Sequence, residues 1–190
     1  MRSSTLKSKG IFVGRKKDGS VHLRRKGTVI FGWLAILPLS SVLILFGMAE
    51  IEAHGFRGTG ILGVTAVIDV LIIRATITSR VIADRGGLLW DVGPFVRTAI
   101  PREEIKSVRC ENNGLMITLP RHSHGIWSFS QSMIGGVSAR SARRFIAAWL
   151  EEGGEIPVAT SGSSGKRIYV QPVDVLLLAA PVVAPLLMKF

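Results

Sequence analysis

The chain has 190 residues, 47% of them apolar, and 24 Lys/Arg against 13 Asp/Glu give a formal charge of +11. A mean hydropathy of +0.39 excludes a disordered chain and is unusual in a soluble globule with this much charge. One cysteine, Cys110, excludes an internal disulfide framework and a Cys-rich zinc module, and four histidines leave little for a metal cage. No metal or cofactor is expected. Such a chain either sits in a membrane with cytoplasmic Lys/Arg or binds nucleic acid, and the positions of the charges decide which.

Residues 1–27 hold nine basic side chains, from Arg2 to Lys26, and one acid, Asp18, and read as a basic cytoplasmic tail. Residues 28–48 (TVIFGWLAILPLSSVLILFGM) carry no charge. As a helix they would span roughly 31 Å, about the hydrocarbon thickness of a bilayer. Apolar residues cover every face, so no single stripe is set aside for a soluble core. Pro38 is tolerable at mid-span if a second helix packs alongside. The basic start and the apolar run are both too long for a secretory signal, and no small-x-small site follows Met48, so an uncleaved anchor is expected.

Residues 49–57 read as a short polar turn, and 58–73 (GTGILGVTAVIDVLII) as a second apolar run. Its sixteen residues reach about 24 Å, and the span is completed through Ala75 with Arg74 snorkelling to the headgroups. Residues 28–75 are thus expected to be a two-helix transmembrane hairpin. Nine basic residues precede it and Arg74 and Arg80 follow, against Arg57 alone in the turn. The positive-inside rule then places the N-terminus and the following domain in the cytoplasm, in a multi-pass protein of the plasma membrane. The basic excess borders a membrane surface, so nucleic acid is not expected as a partner.

After Ala75 the periodicity changes. Residues 75–84, 88–92, 95–100, 103–110, 114–120 and 126–131 read as short strands. The turns are Asp84–Gly87, Gly93-Pro94, Asn112–Gly114 and Arg121–Gly125. Residues 138–152 read as one helix with Ser138 as N-cap. Ala142, Phe145, Ile146, Trp149 and Leu150 fall on a single apolar stripe. A small antiparallel β-barrel or sandwich over 76–153, closed by one C-terminal helix, is the plan of a pleckstrin-homology (PH) fold. The expected fold class is therefore a membrane α-helical hairpin plus an α+β PH-like domain. Residues 154–172 read as a flexible Gly/Ser linker and 173–190 as an apolar membrane-associated tail. That tail has fourteen uncharged residues from Val175 to Met188, a length that favours an interfacial or re-entrant piece over a span. Pro181 and Pro185 weaken a straight helix there.

Val81 to Leu88 (VIADRGGL) and Arg97 to Ile105 (RTAIPREEI) carry a resemblance. The chain resembles actinobacterial membrane proteins with a bacterial PH-like domain over roughly residues 28–152. In that family a strand with a D-x-G turn is followed by arginine-bearing strands and a V-P-W-x-E/D-I segment. Ile100-Pro101 and Glu104-Ile105 match that segment, and Arg102 occupies the tryptophan position. The resemblance implies a non-catalytic scaffold or interaction module at the cytoplasmic face, with a protein partner and no catalytic residues to carry over.

Four constellations bear on chemistry. Gly58-Thr59-Gly60-Ile61-Leu62-Gly63, with Asp84 twenty-one residues on, spells a dinucleotide fingerprint. No strand is expected before it, and its small residues suit two helices approaching in lipid. Asp69 is an intramembrane carboxylate, a functional suspect by its cost. Lying four residues before Ile73, it is expected near the inner interface, hydrated or reaching Arg74. Its alternative reading makes the chain a component of a membrane transport or protein complex that uses Asp69. His122, His124 and Cys110 lack the companions that a metal site or a nucleophile–base pair needs, and read as a polar turn and an inert thiol. No enzyme is expected. Finally, Arg140, Arg143 and Arg144 stand at the start of the closing helix and Glu151 and Glu152 at its end, against the macrodipole. These arginines are the candidate surface for anionic lipid headgroups or an acidic partner.

Overall fold

The uncharged run from Thr28 forms a helix longer than itself. In the computed structural model, which describes residues 9–130, 136–152 and 165–187, α1 runs Lys26–His54, 29 residues, or about 43 Å. The expected polar turn at 49–57 is therefore mostly helix. Glu50 and His54 pair at 2.9 Å one turn apart, and Gly55 ends the helix at a φ of +60°, a left-handed position that favours glycine. A 3₁₀ turn, Gly55–Thr59, leads into α2, Gly60–Ile72.

The second helix does not stop near Ile73. A π-helical turn, Ile73–Thr78, extends it to 19 residues, Gly60–Thr78, and the strand expected over 75–84 begins only at Arg80. The Thr76 and Thr78 hydroxyls donate to the Ile72 and Arg74 carbonyls at 2.6 and 3.0 Å, the bond threonine makes inside helices. Gly32, Ile36, Ser40 and Gly47 are the buried positions of α1. A Cβ at Gly32 would lie 2.2 Å from the Thr76 hydroxyl, and one at Gly47 2.4 Å from a Leu62 methyl. Small residues on one stripe thus bring α1 against α2. Between its polar ends α1 exposes mostly hydrocarbon, with Phe31, Leu34, Leu45 and Phe46 each 62–68% exposed. Both helices are long and apolar enough to cross a membrane.

The strands are β1 (Ile11–Arg15), β2 (Val21–Arg25), β3 (Arg80–Ala83), β4 (Leu88–Val92), β5 (Val96–Pro101), β6 (Ser107–Glu111), β7 (Gly114–Thr118), β8 (Ser123–Gly125) and β9 (Gly165–Ile168). They make two antiparallel sheets, one ordered β1-β2-β3-β4-β5-β9 and one β6-β7-β8. The basic segment 1–27 is therefore not a tail over its described part. Its alternating Val21-His22-Leu23-Arg24 places Val21 and Leu23 inward, and Leu23 pairs with Val81 across the sheet. Most of the expected linker lies outside the described residues, but 165–168 form the edge strand β9 on β5. The strand expected at 126–131 is replaced by β8, inside the expected turn, and a 3₁₀ turn at Trp127–Phe129. The one expected at 103–110 opens with a 3₁₀ turn, Arg102–Glu104.

Between the sheets lies one core, closed by α3, Val137–Glu152. Leu23, Leu89, Ile100, Ile117, Ala142 and Ile146 are each fully buried in it. Ser138 does not stand outside the helix as a cap. It is buried in the first turn of α3, where a Cβ added at Gly10 would stand 3.4 Å from it. The apolar tail is helical as well. Helix α4, Pro172–Leu187, continues through positions 181 and 185 and packs along α2 as far as the 3₁₀ turn at Gly55–Thr59.

At the far end of α3, the Arg102 guanidinium donates to the Trp149 and Leu150 carbonyls and stacks over the Trp149 ring, 4.9 Å from its centroid. A cation on the last carbonyls is what the macrodipole favours, and it offsets the two terminal glutamates. Arg102→Ala is expected to cost about 1–2 kcal/mol, read as a lower Tm and faster amide exchange in the last turn of α3. Unchanged exchange there would show that the guanidinium is not what holds that turn.

Candidate functional site

All described helices except α3 join the larger sheet at one end. Arg25 ends β2 and Lys26 begins α1. The π-turn closes at Thr78 and β3 opens at Arg80, while β9 ends at Ile168 and α4 opens at Pro172. The start of α3 lies at this end too. The Lys26 amide donates to the Gly10 carbonyl at 3.0 Å, and the Ser141 hydroxyl donates to the Lys9 carbonyl at 2.9 Å. Lys9, Arg140 and Arg144 consequently line one open groove of about 380 Å³ together with Val137 and Ser141. Arg143 is exposed but is not part of that lining. Of the three arginines singled out on the closing helix, the fold gathers two and adds Lys9, which was legible only as one cation among nine.

Asp69 and Arg74 are placed otherwise than their spacing suggests. With α2 extended to Thr78, Asp69 stands nine residues from each end of the Gly60–Thr78 helix, at its midpoint and not near an interface. Its Oδ1 accepts a 2.7 Å hydrogen bond from the Ser40 hydroxyl, and Ser40 is the midpoint of Lys26–His54. A polar pair thus pins the two helices at half-height. Arg74 neither reaches Asp69 nor snorkels. It is 1% exposed and makes a two-pronged ion pair with Asp174 at the start of α4, Nε to Oδ1 at 3.0 Å and Nη2 to Oδ2. The Tyr169 ring lies 5.3 Å from its guanidinium carbon. Asp174 Oδ2 also accepts the Gln171 backbone N–H at 2.9 Å, half of a capping box that starts α4.

A further buried pair joins the two sheets. Asp91, 4% exposed on β4, accepts the Trp127 amide at 3.3 Å and lies 3.0 Å from His124 Nε2 on β8. The signal was a carboxylate on the inward phase of Leu88-Leu89-Trp90-Asp91, which strand alternation alone marks as unusual. His124 is thus occupied by a cross-sheet partner. Burial pushes the Cys110 thiol up despite the nearby Arg143 and Arg140, which keeps it a poor thiolate. Among the described residues no three His, Cys, Asp or Glu side chains gather as a metal site.

The glycine fingerprint begins inside the 3₁₀ turn that follows α1 and is not preceded by a strand. A Cβ at Gly58 would stand 2.3 Å from the Glu50 carbonyl oxygen, so this glycine serves the close approach of the turn to α1.

No family model, curated protein or solved structure matches this chain.

Its chemistry must therefore be read from the arrangement itself. That arrangement is a cationic, helix-bearing end of a sheet.

Proposed function

We propose that the chain is a multi-pass plasma-membrane protein that holds a PH-like, non-catalytic interaction module against the cytoplasmic face. The observation that carries this reading is the direct attachment of α1, α2 and α4 to one end of the sheet. With exposed hydrocarbon covering α1, the favourable surroundings for these helices are lipid. Joints of zero to three residues then fix the sheet's orientation to the bilayer. Antiparallel strands around one core, closed by an amphipathic helix, support the PH-like assignment. Lys9, Arg15, Lys16, Lys17 and Arg24 on the sheet side, against Arg57 in the opposite turn, support a cytoplasmic module. The groove at Lys9, Arg140 and Arg144 is the surface this reading offers to an acidic partner or headgroup, and α4 becomes a third crossing.

Cysteine accessibility tests the topology. In a Cys110→Ser background, Lys17→Cys is expected to react with a membrane-impermeant maleimide only after cells are opened. Arg57→Cys is expected to react on intact cells. Labelling in the reverse order, or recovery of the protein in the supernatant after ultracentrifugation, would overturn the proposal. The mid-height pair of Ser40 and Asp69 favours a second reading, a membrane-complex component that uses this carboxylate. Loss of function in Asp69→Asn with the hairpin intact would carry it.

A further inference from the structure

The outward phase of the larger sheet holds a row of cations. Strand register aligns Val92 with Arg80 on one side and with Arg97 on the other. Arg97 stands opposite Arg167, and Arg24 continues the β2–β3 register opposite Arg80. Arg24, Arg80, Arg97 and Arg167 thus lie in one line across five adjacent strands, roughly 19 Å at the usual strand spacing. Like charges this close in one sheet are destabilising by themselves. None of the four makes a described salt bridge. The nearby turns at the opposite end of these strands hold the carboxylates Asp18 and Asp84.

Two further observations say what the row is built to meet. One guanidinium is held in place, Arg97 over the Trp90 ring at 3.9 Å from its centroid, and the Nε atoms of Arg80 and Arg97 are buried without a partner. Burial, then the Arg80 charge, lower the Arg24 pKa, and His22 on the same face is lowered by burial and by Arg80, Lys16 and Arg24. The field there is strongly positive. Beyond the row, toward the helices, the surface turns apolar. Phe95, two residues before Arg97, is exposed there, and Phe12, which pairs with Arg24 at the other end of the row, is exposed as well. Arginines bordered by exposed apolar side chains form the profile of a bilayer interface, where hydrocarbon enters the acyl boundary and cations meet phosphate. Arg24 is two residues from the first residue of α1, and Arg80 is two residues past the end of the second helix.

We propose that Arg24, Arg80, Arg97 and Arg167 form a binding surface for the phosphates of anionic phospholipids in the leaflet that α1 and α2 enter. This rests on the membrane reading above and adds a ligand class and a surface distinct from the α3 groove. The row orients the module by drawing the sheet's outer face, with Phe12 and Phe95, down onto the headgroups.

The test uses the full-length protein, extracted in mild detergent and exchanged into a mixture of phosphatidylglycerol and phosphatidylcholine, with bound lipid counted by native mass spectrometry. Wild type is expected to retain phosphatidylglycerol about tenfold over phosphatidylcholine, and millimolar glycerol phosphate is expected not to displace it. Replacing all four arginines with glutamine should abolish the preference. Arg97→Gln with Arg167→Gln, at the sheet edge, should weaken it if the fourfold variant fails to fold. Arg109→Gln with Arg121→Gln, at exposed positions of the smaller sheet and the turn after β7, should keep it. Equal retention of both lipids by wild type, a preference that survives in a folded row variant, or displacement by glycerol phosphate would overturn the inference. A chain that never reaches the membrane fraction would instead defeat the reading on which it rests.

Discussion

Arg74→Ala is expected to detach α4 and to lower the Tm of the detergent-solubilised protein by roughly 10 °C. The pair it breaks is 100 residues apart in sequence, and both partners are almost fully buried. Removing one member leaves Asp174 charged, buried and unmatched, which costs about 3–5 kcal/mol, and a chain of this size loses a few degrees per kcal/mol. Asp174→Ala should do the same and in addition free the Gln171 amide that its carboxylate accepts. Because the loss comes from stranding a charge, removing both charges together is far milder. Arg74→Met with Asp174→Leu is expected to recover most of the Tm. The pair would not be what anchors α4 if Arg74→Ala melted with wild type, or if the double replacement melted no higher than the single one.

This pair also shows where reading the chain in order stops. The two apolar runs were legible because nothing but length and the absence of charge is needed to recognise them. Their ends were not. Thr76 and Thr78 suit a strand by propensity, yet their hydroxyls close onto carbonyls four residues back and the helix continues in a π-turn, which moves Asp69 from an interface to mid-height. Arg74 read as snorkelling to the headgroups or meeting Asp69, nothing in the order of the chain singled out Asp174, and only the packing of α4 on α2 joins them. The closing helix was legible from its apolar stripe. What offsets the two glutamates at its end was not, because Arg102 arrives from 47 residues earlier in the chain. The row across the sheet was hidden for the same reason: its arginines are spread over four strands, and register alone aligns them.

The basic N-terminal segment is the costliest thing to misread, because it belongs to the core. Residues 76–153 expressed alone are expected not to fold. Ile11, Val21 and Leu23 are 2%, 5% and 0% exposed, and each buried aliphatic side chain contributes roughly 1.5–3 kcal/mol. Together they supply several kcal/mol against a total stability of about 5–15 kcal/mol for a domain. Without β2 the edge of β3 would also present unpaired N–H and C=O groups, a template for aggregation. A fusion in which a short Gly/Ser loop joins residues 9–25 to 79–168 restores both β-strands and the Gly10 contact with Ser138. That fusion is expected to give a dispersed amide spectrum and a cooperative melt where 76–153 gives neither. A cooperative melt from 76–153 alone would mean that the sheet closes without β2, and that the nine cations of the segment, not its buried apolar side chains, are the reason it is there.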